Sequence, residues 1–234
     1  MKIAILGAME EEIKPLIDFF SANGEVVKEE YAKNIFYKTQ FKGIDLVIAN
    51  SKIGKVHAAL TATVLVEKYG CEKMLFTGVA GGLNPSLNIG DIIFATSLCQ
   101  HDVDITAFGH EPGFIPGSTT FIETCPHLLG VAREIATQKG LTVLEGCVAT
   151  GDQFIHSTEK KDFLISQFNA DAIEMEGSAV AVVCNALDIP LFLLRSISDV
   201  ADMDANFNFA EFLETATKNS SDFIISLLEG LSKS

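Results

Sequence analysis

The 234-residue chain carries 31 acidic against 17 basic side chains, for a formal charge of −14 and a pI near 4.7. That balance excludes nucleic acid, anionic membranes and heavily phosphorylated ligands, which need a positive field, and leaves a neutral or zwitterionic small molecule as the expected ligand. With 48% apolar residues, a mean hydropathy of +0.29 and no Pro-, Ser- or charge-rich linker, residues 1–234 read as one domain with a large core.

In chain order, residues 2–7 read as a strand. Their apolar centre, Ile3 to Leu6, is far shorter than a secretory core and runs at once into Glu10, Glu11 and Glu12, so no signal is expected. Residues 10–20 follow with Ile13, Leu16, Ile17 and Phe20 at helical spacing. Pro15 predicts a kink or an early boundary there, because it removes a backbone donor. Residues 31–51 read as adjacent strands around a Lys42-Gly43 turn, the second running from 44 to 51. Beyond them the pattern predicts a helix at 56–69, strands at 73–78 and 91–98, a helix at 127–139 and a strand at 142–150. A helix at 177–187, a strand at 190–198 and a closing amphipathic helix from about Phe209 to Leu231 complete the chain. Near-continuous apolar strands alternating with helices imply an α/β fold, a three-layer αβα sandwich with a central mixed, twisted sheet. No apolar run approaches the roughly 20 residues that cross a bilayer.

Cys71, Cys99, Cys125, Cys147 and Cys184 are odd in number and widely spaced, with no CxxC pair. They read as reduced, buried thiols of a cytoplasmic protein. The histidines, His57, His101, His110, His127 and His156, form no HExxH or ligand cluster, so no metal is expected. The stretch holding His101, Asp102 and Asp104 reads as a solvated or interface loop.

Four segments carry candidate chemistry. In GAMEEEI (residues 7–13) acidic side chains suit a helix's first turn, and Glu11 shares its row with Lys14 and Asp18; Glu12 instead heads the row of Leu16, Phe19 and Phe20 that turns to the core, where a carboxylate either pairs or works. GVAGG (78–82) reads as a Gly-rich turn after a strand, but with neither GxGxxG nor Walker spacing and no helix after it to bind an anion. Close approach of the Val79, Ala80 and Gly81 backbone to a planar or sugar ligand is the remaining reading. In IEMEGSAVAVVC (173–184) an extended backbone points Glu174 and Glu176 to one side and Met175 to the other, ahead of a helix apolar on nearly all faces. The two glutamates are either a structural ion pair or acceptors for vicinal hydroxyls. In LLRSISDVAD (193–202) a buried strand carries Arg195 mid-way and Ser198 and Asp199 at its carboxyl end, where open α/β sheets bind ligands. Arg195 needs an acidic partner, Glu174 or Glu12; Asp199 taken alone is either functional or a turn residue or cap.

Together these segments resemble the bacterial 5′-methylthioadenosine/S-adenosylhomocysteine nucleosidases of the nucleoside phosphorylase-like superfamily. The resemblance spans essentially the whole chain through ILGAMEEEI (5–13), SKIGKV (51–56), TGVAGGL (77–83), HDVDITAFG (101–109), GDQFI (151–155), EMEG (174–177), RSISDVAD (195–202) and NFAEF (208–212). Val79 stands where many members have serine, and Gln153 where many have alanine. The SKIGKVH and QHDVD wording is similar to that of members serving menaquinone synthesis.

The resemblance implies a homodimer, no cofactor, and release of adenine from 5′-substituted nucleosides: methylthioadenosine, S-adenosylhomocysteine, 5′-deoxyadenosine or 6-amino-6-deoxyfutalosine. It further implies that Asp199, oriented by Ser198, protonates adenine N7, and that Glu12, helped by Glu174 and Arg195, activates water. Glu176 would hold the ribose hydroxyls with Met9 and Met175 against the sugar, Phe154 would stack on adenine, and the Ile155 backbone would read its edge. Ile53 and Phe209 would wall the 5′ group, joined by Ile105 and Phe108 from a partner subunit on the loop of residues 101–116 that Pro116 closes. Such chemistry puts acid and base on opposite sides of the broken bond, with carboxyl groups roughly 6.5 Å or more apart. A phosphorylase of the same superfamily is the chemical rival and would need a cationic phosphate cradle, yet Arg133 and Arg195 are the only arginines. A catalytically silent nucleoside-binding protein is the rival of another class.

Overall fold

Strands that are apolar along both faces must be covered on both sides, and the computed structural model shows how. It describes residues 1–200 and 205–233, with side chains for 1–199 and 212–233. The elements run β1 (Lys2–Gly7), α1 (Glu10–Asn23), β2 (Val27–Tyr31), β3 (Asn34–Phe41), β4 (Ile44–Asn50), α2 (Lys55–Glu67), β5 (Lys73–Phe76), β6 (Val79–Gly82) and β7 (Ile92–Gln100). After these come β8 (Phe121–Glu123), α3 (Pro126–Gln138), β9 (Val143–Thr150), α4 (Thr158–Phe168), β10 (Ala170–Glu174), α5 (Gly177–Ala186), β11 (Leu191–Val200) and α6 (Ala205–Leu231).

The sheet is mixed, in the order β2-β3-β4-β1-β5-β11-β6-β10-β9-β7-β8. Its first half is open: β1 runs parallel to β4 and β5, with β2 and β3 added antiparallel. Its second half closes on itself, because β11 pairs with both β6 and β7 while β10 and β9 bridge those two. β11 belongs to both halves. Leu191 to Leu193 pair with β5, and the residues from Leu194 onward pair with β7 and then β6.

One face packs Ile13, Leu16 and Phe20 of α1 with α3 and α6 side chains such as Leu128, Phe223 and Leu227. The other packs Ala58, Ala62 and Leu65 of α2 with Val180 and Cys184 of α5. The expected layering is therefore present. Phe94, Phe192 and Phe223 meet with centroids 5.0 to 6.5 Å apart, contacts worth about 0.5–1.5 kcal/mol per pair beyond the area they bury. They fasten α6 across β7 and β11.

Several expectations need correction. α1 runs through Pro15 to Asn23 without ending early. GVAGG is not a turn, since Val79–Gly82 is strand β6 in the middle of the sheet. The sequence pattern did not show α4 or the short strand β8. All five cysteines are free thiols, four of them buried. Among the described residues no helix is long and apolar enough to cross a membrane, and no group of three or more His, Cys, Asp or Glu side chains is placed to hold a metal.

Candidate active site

The site begins where β1 gives way to α1. Glu10 and Glu11 are exposed in the first turn, where the helix dipole favours them, whereas Glu12 turns inward and is buried. Its Oε2 accepts from the backbone N–H groups of Ala8 at 2.5 Å and Met9 at 2.9 Å, so the third helical residue reaches back to the cap. Its Oε1 accepts from Val79 N at 2.9 Å. Burial pushes the Glu12 carboxyl above its ordinary pKa, opposed by the charge of Arg195 and by these three amides. Three N–H donors suit an ionised carboxylate, and a raised affinity for a proton suits a base working near neutrality.

Gly78, just before β6, and Gly81 within it make room for this arrangement. A Cβ on Gly78 would sit 2.5 Å from Glu12 Oε1 and 2.6 Å from Arg195 Nη1, and one on Gly81 would sit 3.1 Å from Asp199 Oδ2. The two positions are open because carboxylates and a guanidinium occupy the space that side chains would take. Val79 serves Glu12 through its backbone N–H, which any residue but proline would supply.

Arg195 is 1% exposed and lies over the Phe76 ring at 4.1 Å. Its Nη2 donates to Glu174 Oε2 at 2.6 Å. The same carboxylate oxygen accepts from Glu176 N at 3.0 Å and Gly177 N at 2.7 Å, while Oε1 accepts from the Thr150 hydroxyl. Glu174 is thus saturated by one cation, one hydroxyl and the amino end of α5. Removing either charge from so buried a pair leaves the other uncompensated, at about 3–5 kcal/mol. Of the two partners foreseen for Arg195, Glu174 makes the hydrogen bond and Glu12 contributes through its charge.

β11 carries a bulge. Ile197 pairs with Ala80 and Asp199 with Gly81, so Ser198 is an extra residue and both Ser198 and Asp199 reach the cavity wall. Ser198 Oγ donates to Asp199 Oδ1 at 3.0 Å. Burial raises the Asp199 pKa above the ordinary aspartate value, against the opposing effects of the Ser198 hydroxyl and Lys161. Sequence reasoning missed Lys161, which is buried on α4, because a Lys-Lys pair in a polar stretch reads as a solvated face.

Glu176 does not continue the expected alternation. The chain leaves β10 at Glu174, Glu176 takes φ −136° and ψ −32° at the head of α5, and Glu174, Met175 and Glu176 all line the cavity. Gly54 N donates to Glu176 Oε1 at 2.8 Å. Burial first, then the charge of Glu174, push the Glu176 carboxyl up to about 8.

These groups surround one cavity of about 460 Å³. Met9, Glu12, Ile53, Val79, Ala80, Gly81, Phe154, Glu174, Met175, Glu176, Ser198 and Asp199 line it, with Ala8 and Ile173 added to the expected set. None of these lining residues is a lysine or arginine. Arg195 stands behind the wall. The Ile155 side chain does not line the cavity and packs with Leu83, Phe168 and Ile173. Ile105, Phe108 and Pro116 do not reach the cavity of their own chain, and Phe108 is 81% exposed. The side chain of Phe209 lies outside the described residues, as do residues 201–204. Gln153 accepts from Lys160 Nζ at 2.5 Å and is not among the lining residues.

The chain matches the phosphorylase superfamily over residues 2–229. It is 48% identical over 231 residues to the aminodeoxyfutalosine nucleosidase of Campylobacter jejuni, covering 99% of this chain and 100% of that one. It is 38% identical over 233 residues to the 5′-methylthioadenosine/S-adenosylhomocysteine nucleosidase of Bacillus thuringiensis subsp. konkukian, with 99% and 100% covered. In three dimensions it is similar to the Helicobacter pylori 5′-methylthioadenosine/S-adenosylhomocysteine nucleosidase complexed with an aminopyrrolopyrimidine-bearing pyrrolidinol. That match has a TM-score of 0.95 at 46% identity, with 98% of each chain covered.

Proposed function

The chain belongs to the phosphorylase superfamily and, within it, to the methylthioadenosine/S-adenosylhomocysteine and aminodeoxyfutalosine nucleosidases, and from that premise we propose that Asp199 and Glu12 divide between them the hydrolysis of the N-glycosidic bond. The protein is an N-ribosyl hydrolase acting on 5′-substituted adenine nucleosides. Asp199, its protonated form favoured by burial and its carboxyl oriented by Ser198, donates to adenine N7 so that the base departs neutral. Glu12 takes a proton from the water that attacks the anomeric carbon, and Arg195, anchored by Glu174, helps to hold Glu12 and that water.

As the bond breaks the ribose gains oxocarbenium character, and carboxylates on its flank stabilise it. Glu176 accepts from the ribose hydroxyls. Because hydrogen bonds to a charged form favour it, nucleoside binding drives Glu176 to ionise. Met9 and Met175 pack against the sugar and Phe154 stacks on the base. The Ile155 backbone reads the adenine edge, while Ile53 borders the 5′ substituent.

The observation that carries this reading is the pairing of Glu12 and Asp199 on one cavity whose lining residues include no cation. A phosphorylase would need positive charge there, and Arg195 stands behind the wall with its Nη2 on Glu174. Incubation with methylthioadenosine, S-adenosylhomocysteine, 5′-deoxyadenosine and 6-amino-6-deoxyfutalosine, with and without phosphate, tests it. Adenine release at a phosphate-independent rate is expected. A phosphate requirement, or ribose 1-phosphate products, would overturn hydrolysis. The aminodeoxy compound is expected to be turned over, given the greater identity to the Campylobacter jejuni protein.

The active form is a two-fold homodimer. Phe108 is 81% exposed, Val56 and Leu60, one turn apart on α2, are 76% and 50% exposed, and Ile53 at the cavity is 54% exposed. Apolar side chains this exposed are ordinarily hidden in a subunit contact, and Ile105, Phe108 and Pro116 then border the neighbour's 5′ subsite. Sedimentation of the parent and of Phe108→Glu tests this. A dimer whose KM for methylthioadenosine rises in the variant is expected; a fully active monomer contradicts it.

A further inference from the structure

Two segments that line the cavity through Ile53 and Phe154, the approach to α2 and the stretch after β9, are tied to each other and to the stretch after β7 by residues that do not line it. Lys55 Nζ donates to Asp102 Oδ1 at 2.6 Å, with the two side chains only 17% and 14% exposed. Asp152 N donates to Asp102 Oδ2 at 2.9 Å, and Lys55 N donates to Asp152 Oδ1 at 2.8 Å. The bonds close a ring, each segment contributing one residue.

The ring has a physical reason. Lys55 is the first residue of α2, so its N–H has no partner within the helix, and the Asp152 carboxylate satisfies it at the positive end of the helix dipole. Burial opposes the ionised form of Asp102, but the Lys55 ammonium and the Asp152 N–H outweigh it and hold Asp102 below the ordinary aspartate value. Immediately before Lys55, Gly54 has φ +98°, and a Cβ there would come within 3.1 Å of Asp152 Oδ1. The left-handed backbone and that close approach both call for glycine, and this conformation aims Gly54 N–H at Glu176 Oε1, 2.8 Å away.

We infer that Lys55, Asp102 and Asp152 are positioning residues that fix the Gly54 N–H on Glu176 and so set the aim of that carboxylate at the ribose. The inference rests on Glu176 being the ribose-binding group. It joins three motifs far apart in sequence, SKIGKV, QHDVD and GDQFI, into one device. Asp102 also stands near the start of the loop carrying Ile105 and Phe108, so the same ring holds the root of the segment that meets a second subunit.

Because the ring acts through Glu176, loosening it should penalise substrates only through their ribose hydroxyls. Asp102→Asn and Lys55→Met are compared on methylthioadenosine and on its 2′,3′-dideoxy counterpart. Expected for each variant is a KM for methylthioadenosine about tenfold higher with kcat within about threefold of the parent, and kcat/KM for the dideoxy compound within about twofold. The double variant should be no worse than the more damaging single one, as for two members of one coupled unit. A merely structural role would depress both substrates alike; that result, or a fall in kcat at unchanged KM, overturns the inference. A parent enzyme that does not favour the hydroxylated substrate overturns the role of Glu176 itself. If Asp102→Asn does not fold, Lys55→Met decides the question, since it leaves the Asp152 N–H on Asp102.

Discussion

Asp199→Asn is expected to lower turnover of methylthioadenosine by about 10² to 10⁴, the usual worth of general acid catalysis, while nucleoside affinity changes little. The asparagine amide still donates a hydrogen bond towards N7 and still accepts from Ser198, so the base is held; what is lost is a proton that can be given up. The pH dependence has a definite sign. The proposed acid acts in its protonated form and burial raises its pKa, so in the parent kcat is expected to fall on the alkaline side, displaced upward from an ordinary aspartate. The residual kcat of Asp199→Asn should lack that limb. Steady-state adenine release across pH, with equilibrium binding of nucleoside to the variant, measures both. Near-parental turnover would remove Asp199 from the mechanism.

Glu12→Gln is expected to cost a similar factor in turnover, again about 10² to 10⁴, together with some stability. Both carboxylate oxygens of Glu12 accept backbone N–H groups, from Ala8 and Met9 on one side and Val79 on the other. A glutamine has one oxygen, so its NH2 must face donors on the other side. A buried donor left unpaired costs about 1–3 kcal/mol, and a lowered Tm should accompany the loss of rate. Single-turnover adenine release beside a thermal melt separates the two effects. A variant that melts earlier yet hydrolyses at the parental rate would leave Glu12 a purely structural carboxylate.

How much of this site was readable beforehand varied with how far each residue obeys a period. Glu12 was readable because it falls on the core-facing row of α1, and Arg195 because a cation inside an apolar strand needs an acid. The role of Gly78 and Gly81 was not readable: glycine carries no periodicity, so β6 looked like a turn, and the space they leave is explained only by Glu12, Arg195 and Asp199 arriving from other elements. The Ser198 bulge was equally hidden, since an added residue changes which way Asp199 points without changing composition. α4 escaped notice because its inward row is Lys161, Leu164 and Phe168, with a lysine where an apolar residue would mark a core face; a local sign was Ser157, whose hydroxyl accepts from Lys160 N at the helix start. The ring of Lys55, Asp102 and Asp152 could not be seen because its members are 47 and 50 residues apart in the chain.

The strand shared by the open and closed parts of the sheet has a consequence for how such a protein can change over time. Arg195, Ser198 and Asp199 all ride on β11, which has a hydrogen-bonded neighbour along its course from Leu191 to Val200. The proposed acid, its serine and the buried arginine are therefore bolted to the frame, where a substitution endangers the whole architecture. Ile53 and Phe108 sit instead on segments with no strand partner, where drift is tolerated. A lineage with this plan can exchange one 5′ appendage for another by altering its rim while the cut at the adenine–ribose bond is inherited untouched.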